Sequence, residues 1–228
     1  MPVPDNAIYH LAAALDRLAK FGFPLKTNEV TAAYFKQMAT LNKEPLRTEM
    51  AKAAEGNQEA MQKVALASPA WNSTLRTTCV ATQLEGGHAR NALPQLAAAG
   101  INCRVLPEDS VDYVKSTLEK VIADDQVKVT ITSDVPKGPA SPMRPDIMKA
   151  VGRLTDTMWP GVPSIPIMVM GATDGRSLRV AGIPTYGIQG FFMDRDDIRF
   201  HGRDERMGVQ AFYEGQQFLY ELVKTLAK

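Results

Sequence analysis

TTCVATQLEGGHARNALPQLAAAGINCRVL, residues 77–106, is the stretch that decides the fold. Its first part, residues 77–84, has the composition of a strand, and Gly86-Gly87 ends that strand because glycine lets the backbone turn sharply. A loop through Pro94 leads to a second predicted strand at residues 101–106. The stretch therefore predicts two strands joined by a hairpin loop.

Helices precede this hairpin. Residues 5–20 carry apolar residues at helical spacing behind a capping Asp5, and they predict an amphipathic helix. Residues 28–67 are rich in helix-forming residues and predict two or three short helices. The breaks between them fall at Asn42, Pro45 and Gly56. We interpret residues 28–74 as a helical insertion that makes surface or partner contacts.

A helix and a third strand follow the hairpin. Ser110 caps the predicted helix, and residues 127–131 alternate apolar and polar side chains as a half-buried strand does. The order helix, strand, strand, helix, strand lacks only the first strand of a β-α-β-β-α-β unit. The predicted fold class is α/β (α+β), with residues 1–134 forming a ferredoxin-like domain that contains the 28–74 insertion.

A second domain is predicted at residues 135–228, after a proline-rich linker at 135–145. Its helices are expected at 145–158, 174–181 and 206–227, and its strands at 165–170 and 185–188. The 165–170 run is apolar on both faces, which favours a strand buried in an incomplete α/β sheet. The last helix is expected to face inward through Val209, Phe212, Leu219 and Val223.

Composition excludes several classes of protein. Among the 228 residues, 45% are apolar and 22% are charged, which is typical of a water-soluble globular protein. The net charge of +1 does not indicate the strongly basic surface that nucleic-acid-binding proteins carry. No apolar run in the sequence is long enough to span a bilayer. Nucleic-acid and membrane partners are therefore not expected.

The two cysteines, Cys79 and Cys103, lie in predicted strands. A bridge is possible, but buried free thiols are the favoured interpretation because two cysteines in a chain of this length make no disulfide framework. Free thiols fit a reducing compartment, and we therefore expect a cytoplasmic protein.

Two candidate binding residues lie in or beside the hairpin. Asn91 follows the paired glycines, where its amide can bind a carboxylate or a carbonyl oxygen, and an ordinary hairpin loop is the alternative. Arg104 interrupts an apolar strand, and it is either an anion clamp or a residue on the solvated face.

Two further candidates lie in the second domain. Thr173, Asp174, Gly175 and Arg176 follow the apolar run and open a helix, where ligands of α/β sheets bind, although Asp174 also suits a helix cap. His201 precedes the last helix and is either a metal ligand or a solvated loop residue.

The sequence does not contain the metal-ligating residues needed to complete a metal centre. The chain has three histidines, and no His-x-Asp, His-Glu-x-x-His or paired-cysteine motif. A catalytic zinc usually needs three protein ligands, so His201 alone cannot organise one.

Taken in order, the segments 86–94, 101–104, 171–176 and 201–205 resemble those of the two-zinc aminoacylase/carboxypeptidase family. The resemblance implies a lid domain that makes a homodimer and zinc-dependent hydrolysis of a peptide or N-acyl amino acid. It makes Asn91 and Arg104 lid residues that hold the substrate, Thr173, Asp174, Gly175 and Arg176 the pocket lining, and His201 the last zinc ligand.

The resemblance also shows what this sequence lacks. The other zinc ligands, the catalytic glutamate and the lid histidine of the family all precede the position at which this chain begins. We therefore expect the C-terminal part of a larger hydrolase, inactive alone and binding zinc weakly or not at all. The alternatives are a non-catalytic dimerisation and substrate-binding module, or an unrelated α/β protein with scattered candidate residues.

Overall fold

The computed structural model describes residues 3–133, 136–194, 197 and 199–227. Its elements are α1 (Ala7–Lys20), α2 (Glu29–Leu41), α3 (Leu46–Ala54), α4 (Gln58–Ala67), α5 (Pro69–Leu75), β1 (Thr78–Gly86), β2 (Ala97–Arg104), α6 (Val111–Ile122), α7 (Pro145–Met158), α8 (Gly175–Val180) and α9 (Val209–Leu226). The mixture of helices and sheet confirms the α/β class. The chain divides into two compact units, Met1–Pro136 with Pro166–Ala172, and Lys137–Ile165 with Thr173–Lys228. The predicted boundary between residues 134 and 135 lies outside the described residues.

Helix α1 confirms the first predicted helix but not its cap. Asn6, with an extended backbone, accepts hydrogen bonds from the backbone N–H groups of Ile8 and Tyr9, so Asn6 is the N-cap. The prediction that Asp5 caps this helix was wrong, because the Asp5 carboxylate contacts the His10 ring instead.

Two or three helices were predicted for residues 28–67, and the structure has three, α2, α3 and α4, followed by a short fourth helix, α5. Asn28 and Asn57 cap α2 and α4 through their side-chain oxygens. The insertion encloses a hydrophobic core of its own, formed by Leu25, Phe35, Ala39, Met50, Ala53, Ala60, Met61, Val64, Ala65 and Leu75. Burial of these side chains stabilises the insertion.

Strands β1 and β2 form the predicted hairpin as an antiparallel pair with an irregularity between Ala81 and Gln83. The register places Cys79 directly opposite Cys103, and the two form a disulfide. The prediction of free thiols was wrong because strand pairing brings both sulfurs to one position of the ladder. Free thiols therefore do not support a cytoplasmic location, which stays a prediction.

Helices α1 and α6 pack against each other, and α1 also packs on the hairpin. Phe23, Val114 and Leu118 form the buried centre of this layer. Ser110 caps α6 as predicted, since its hydroxyl accepts a hydrogen bond of 3.0 Å from the backbone N–H of Tyr113.

Three predicted strands, at 127–131, 165–170 and 185–188, are not formed. A strand needs a neighbour for its backbone hydrogen bonds, and the sheet of the described residues contains only β1 and β2. Ile167 and Val169 are 59% and 58% exposed, so the apolar run is not buried on both faces. The predicted ferredoxin-like sheet is therefore present only as its central hairpin.

The second unit is built on the packing of α7 against α9. Trp159 contacts Phe218, with ring centroids 5.3 Å apart, and Gly215 lets Phe191 approach the helix, since a Cβ there would lie 2.2 Å from the Phe191 ring. Gly215, Phe218 and Leu222 are the buried residues of α9. The predicted inner face was wrong, because α9 turns Val209, Phe212 and Val223 outward.

No helix in the described part of the chain combines the length and apolar content that crossing a bilayer requires.

Candidate functional site

Asn91 lies in the loop of residues 87–96 that joins β1 to β2. Gly87 begins the loop at a φ of 77°, a left-handed conformation that favours glycine. The adjoining Gly86 lies against α1, since an added Cβ would be 3.4 Å from Cγ1 of Ile8. The loop thus starts on the first turns of α1, and Asn91 is exposed.

Arg104 lies at the other end of the ladder, opposite Thr78. At roughly 3.3 Å per residue, β2 extends over about 23 Å from Ala97 to Arg104. The strand therefore separates Arg104 from the loop that carries Asn91. Both side chains are exposed, and their joint role in substrate binding stays a prediction.

The segment Thr173–Arg176 forms a tight turn into α8. The Arg176 N–H donates to the Thr173 carbonyl at 3.1 Å. Gly175 is buried, and an added Cβ would lie 3.0 Å from Nη1 of Arg179 and 3.3 Å from Oγ1 of Thr173. Asp174 occupies the N-cap position, but its carboxylate makes no capping hydrogen bond. The structure thus groups these four residues, with the carboxylate of Asp174 exposed.

His201 lies in an exposed loop with a φ of 62°, a left-handed conformation. Its backbone N–H donates to Oε2 of Glu205 at 3.2 Å. Arg199 is paired with Asp197 and with Asp204, the acidic residue three positions after His201. The hydrogen bond from Arg199, followed by that from Arg206, holds the pKa of Asp197 below its usual range.

These neighbours do not fit a zinc centre around His201. The acidic groups nearest in sequence either cap the loop backbone or pair with arginines. No group of three or more His, Cys, Asp and Glu residues within the described ranges can hold a metal ion. The described residues around His201 therefore do not supply the ligand set of a catalytic zinc.

His10 lies between two carboxylates, an arrangement that no sequence motif indicates. Its Nδ1 lies 2.6 Å from Oδ2 of Asp124, and its Nε2 lies 2.5 Å from Oδ1 of Asp5. Both ring nitrogens face carboxylates, and the hydrogen bonds to Asp124 and then to Asp5 raise the pKa of His10. Asp124 is 114 residues away in sequence, so only the packing of α1 on α6 reveals the cluster.

A second unforeseen cluster lies at the base of the hairpin. The Thr77 hydroxyl donates to Oδ2 of Asp109 at 2.6 Å and accepts from the backbone N–H of Leu106 at 3.0 Å. Lys26 pairs with Oδ1 of Asp109 and lies 5.2 Å from the centre of the Tyr113 ring. The cluster joins the segments that precede the insertion, the first strand and α6.

Comparison with known proteins identifies the N-terminal part of the chain. The sequence model M20_dimer, described as a peptidase dimerisation domain, matches residues 3–130. In structure the chain is similar to an M20 family metallo-carboxypeptidase, Sso-CP2 from Sulfolobus solfataricus, with a TM-score of 0.60 and 16% identity. That match covers 97% of this chain and 52% of the carboxypeptidase, and it supports the fold alone.

Curated relatives show the same pattern. The chain is 26% identical to the N-fatty-acyl-amino acid synthase/hydrolase PM20D1 of Xenopus tropicalis, over 99% of this chain and 44% of that protein. It is 28% identical to a probable carboxypeptidase S-like 2 of Dictyostelium discoideum, over 74% of this chain and 33% of that protein. It is also 28% identical to aminoacylase-1B of Rattus norvegicus, over 64% of this chain and 36% of that protein. The chain spans less than half the length of each of these relatives.

Because the dimerisation-domain model covers more than half of the chain, the protein belongs to the M20 peptidase family and carries that family's dimerisation domain at residues 3–130.

Proposed function

We propose that this chain is the dimerising and substrate-contacting part of a zinc-dependent hydrolase that cleaves the amide bond of peptides or N-acyl amino acids. The match of the peptidase dimerisation domain over residues 3–130 carries the proposal. The printed names of the relatives, an N-fatty-acyl-amino acid synthase/hydrolase, an aminoacylase and a carboxypeptidase, support an amide as the bond that is cleaved.

The chain alone is proposed to be inactive. Its three histidines are accounted for without a metal: His10 bridges two carboxylates, His88 lies in the exposed hairpin loop, and His201 stands among paired acidic residues. Hydrolysis therefore requires metal ligands and a general base from outside this polypeptide.

Self-association through the hairpin layer is part of the proposal. Val80 and Leu84 of β1 are 62% and 69% exposed, and β1 is paired on one side only within the described sheet. Such a strand, with its apolar side chains uncovered, is suited to pairing with a second copy of the chain.

The candidate substrate contacts are proposed to be Asn91, Arg104 and the segment Thr173–Arg176. Arg176 is half-buried beside Gly138, whose added Cβ would lie 3.3 Å from Cγ of Arg176. A guanidinium whose stem is held in this way loses little conformational entropy when it binds a carboxylate.

A second candidate function is a non-catalytic dimerisation module. The acidic groups near His201 favour it, because they are already paired and the described residues assemble no metal-binding group. The non-catalytic module expected from the sequence also binds substrate, whereas a module that only dimerises self-associates without binding the substrate class.

Isothermal titration calorimetry of the purified chain with an N-acyl amino acid measures substrate binding and separates the two candidates. A parallel assay for released amino acid measures turnover. The proposal predicts measurable binding without turnover. We expect Arg176→Ala to weaken binding about tenfold, the effect of losing one charged hydrogen bond, with Arg153→Ala on the exposed face of α7 as the matched control. No binding by the unaltered chain would favour the module, and turnover would refute inactivity.

A further inference from the structure

Arg179 lies three residues after Arg176 on α8, so the two side chains are neighbours on one side of the helix. Both residues are half-buried. A Cβ added at Gly138 would lie 3.3 Å from Cγ of Arg176 and 3.5 Å from Cβ of Arg179, so both stems pack against the same stretch of backbone. All three residues belong to the second compact unit.

The guanidinium of Arg179 turns back over the start of α8. A Cβ added at Gly175 would lie 3.0 Å from Nη1 of Arg179 and 3.3 Å from Oγ1 of Thr173. Cγ2 of Thr185 lies 3.1 Å from the same position, and the Thr185 backbone makes two hydrogen bonds, of 2.9 and 2.8 Å, with the Ser141 hydroxyl. The charged end of Arg179 is therefore held beside Thr173 and Gly175, two residues of the candidate substrate loop.

Both guanidinium groups are without a carboxylate partner among the residues that the structure describes. Within those residues, neither Arg176 nor Arg179 forms an ion pair or a side-chain hydrogen bond. Three other arginines of the same unit, Arg144, Arg199 and Arg206, are each paired with an aspartate. Arg176 and Arg179 are thus available to bind an anionic ligand.

A carboxylate accepts two parallel hydrogen bonds from one guanidinium, so a pair of guanidinium groups suits a ligand with two carboxylates. Aspartate and glutamate derivatives carry a second carboxylate a few bonds from the first. We propose that Arg179 is a specificity residue that, together with Arg176, selects N-acyl aspartate, N-acyl glutamate or peptides that end in one of these residues. Asp174 puts one negative charge against the two arginines, so the segment 173–180 keeps a positive charge. The inference rests on the proposed substrate-binding role of the Thr173–Arg176 loop.

Isothermal titration calorimetry with N-acetyl-glutamate and N-acetyl-glutamine tests this role, because the two ligands have nearly the same shape and differ in side-chain charge. The unaltered chain should bind N-acetyl-glutamate about fivefold more tightly, the effect of one ion pair that stays open to solvent. The preference should fall as salt is raised, since salt screens charges that solvent reaches. The salt series needs no variant, so it tests the inference even where a substitution disturbs folding.

Arg179→Gln should abolish the preference, while its affinity for N-acetyl-glutamine stays within about twofold of that of the unaltered chain. Arg179→Lys keeps the charge and should retain part of the preference. Arg153→Gln, on the exposed face of α7, is the matched control and should leave both affinities unchanged. Arg176→Ala should weaken both ligands, because both carry the main-chain carboxylate that Arg176 is proposed to bind.

Three results would overturn the inference: equal affinities of the unaltered chain for the two ligands, a preference that persists in Arg179→Gln, or a preference that does not change with salt. Binding of both ligands without a preference would leave the proposed function standing. Absence of binding by either ligand would refute the proposed function, and the role of Arg179 with it. The two failures are therefore distinguishable.

Discussion

Replacing Thr77 by valine tests the hydrogen-bond cluster at the base of the hairpin. Thr77 is 1% exposed, and its hydroxyl bonds both the Asp109 carboxylate, at 2.6 Å, and the Leu106 N–H, at 3.0 Å. Valine keeps the shape and the β-branching but removes both bonds. A hydrogen bond to a charged group contributes about 1.5–3 kcal/mol and a neutral one about 0.5–1.5 kcal/mol, so the free energy of unfolding should fall by about 2–4 kcal/mol.

Urea unfolding followed by circular dichroism measures this change. Thr82→Val on the same strand is the matched control, because the Thr82 hydroxyl is exposed and its bond to the Gly100 carbonyl is long, at 3.4 Å. The control should stay within about 0.5 kcal/mol of the unaltered chain. Equal losses for the two variants, or a loss below about 1 kcal/mol for Thr77→Val, would refute the reasoning.

Three further predictions concern stability. Phe35→Ala should lower the free energy of unfolding by about 3–5 kcal/mol, because Phe35 is fully buried. Leu66→Ala, at a side chain that is 77% exposed, is the control and should lower it by less than about 0.5 kcal/mol. Similar urea midpoints for the two variants would contradict a hydrophobic core in the insertion. Replacing Cys79 and Cys103 together by serine should cost about 3 kcal/mol, since the bridge closes a loop across a sequence separation of 24, and a reducing agent should then have no further effect on the melting temperature. The pKa of His10 is raised by its two carboxylate partners, so its contribution to stability is fully present below the unfolded value of 6.5 and is lost as pH rises through the raised folded value. The difference in urea midpoint between the unaltered chain and His10→Gln should therefore shrink with rising pH, and a difference that stays constant would count against the ion pairs.

Helices were predictable because their signals are local. The 145–158 prediction coincides with α7, and the cap by Ser110 is formed as expected. Proline at the start of a helix and a serine before an apolar face act within one turn, so no distant contact is needed to interpret them.

Strands were less predictable because each depends on a neighbour. Residues 165–170 are apolar enough for a buried strand, yet Ile167 and Val169 are exposed and the segment lies on helices through Met168 and Met170. Amino-acid composition indicates that a segment can form a strand, whereas hydrogen bonding to a neighbouring strand determines whether it does.

The disulfide shows the same limit in detail. Gly86 pairs with Ala97, and regular pairing from there would set Cys79 against Arg104. The irregularity between Ala81 and Gln83 shifts the register by one residue and sets Cys79 against Cys103. Nothing in the local sequence locates that shift, so the bridge could not be inferred from strand assignments.

The orientation of α9 was misjudged for a related reason. The helix has apolar side chains on more than one face. The face that is buried is the one that contacts the aromatic residues Trp159 and Phe191. A helix with two apolar faces has no unique inner face in its own sequence. The candidate site residues were likewise named through resemblance and stay predictions, because the geometry of a site depends on tertiary contacts.

The proposal that this chain does not form a metal centre alone is tested most directly by zinc content. The chain is purified without chelator, supplied with zinc, dialysed, and measured for zinc per polypeptide by elemental analysis. We predict close to no tightly held zinc, because His201 has no partner ligands within reach among the described residues. Near-stoichiometric zinc that is lost in His201→Ala would contradict this prediction and would mean that the chain assembles a metal centre of its own.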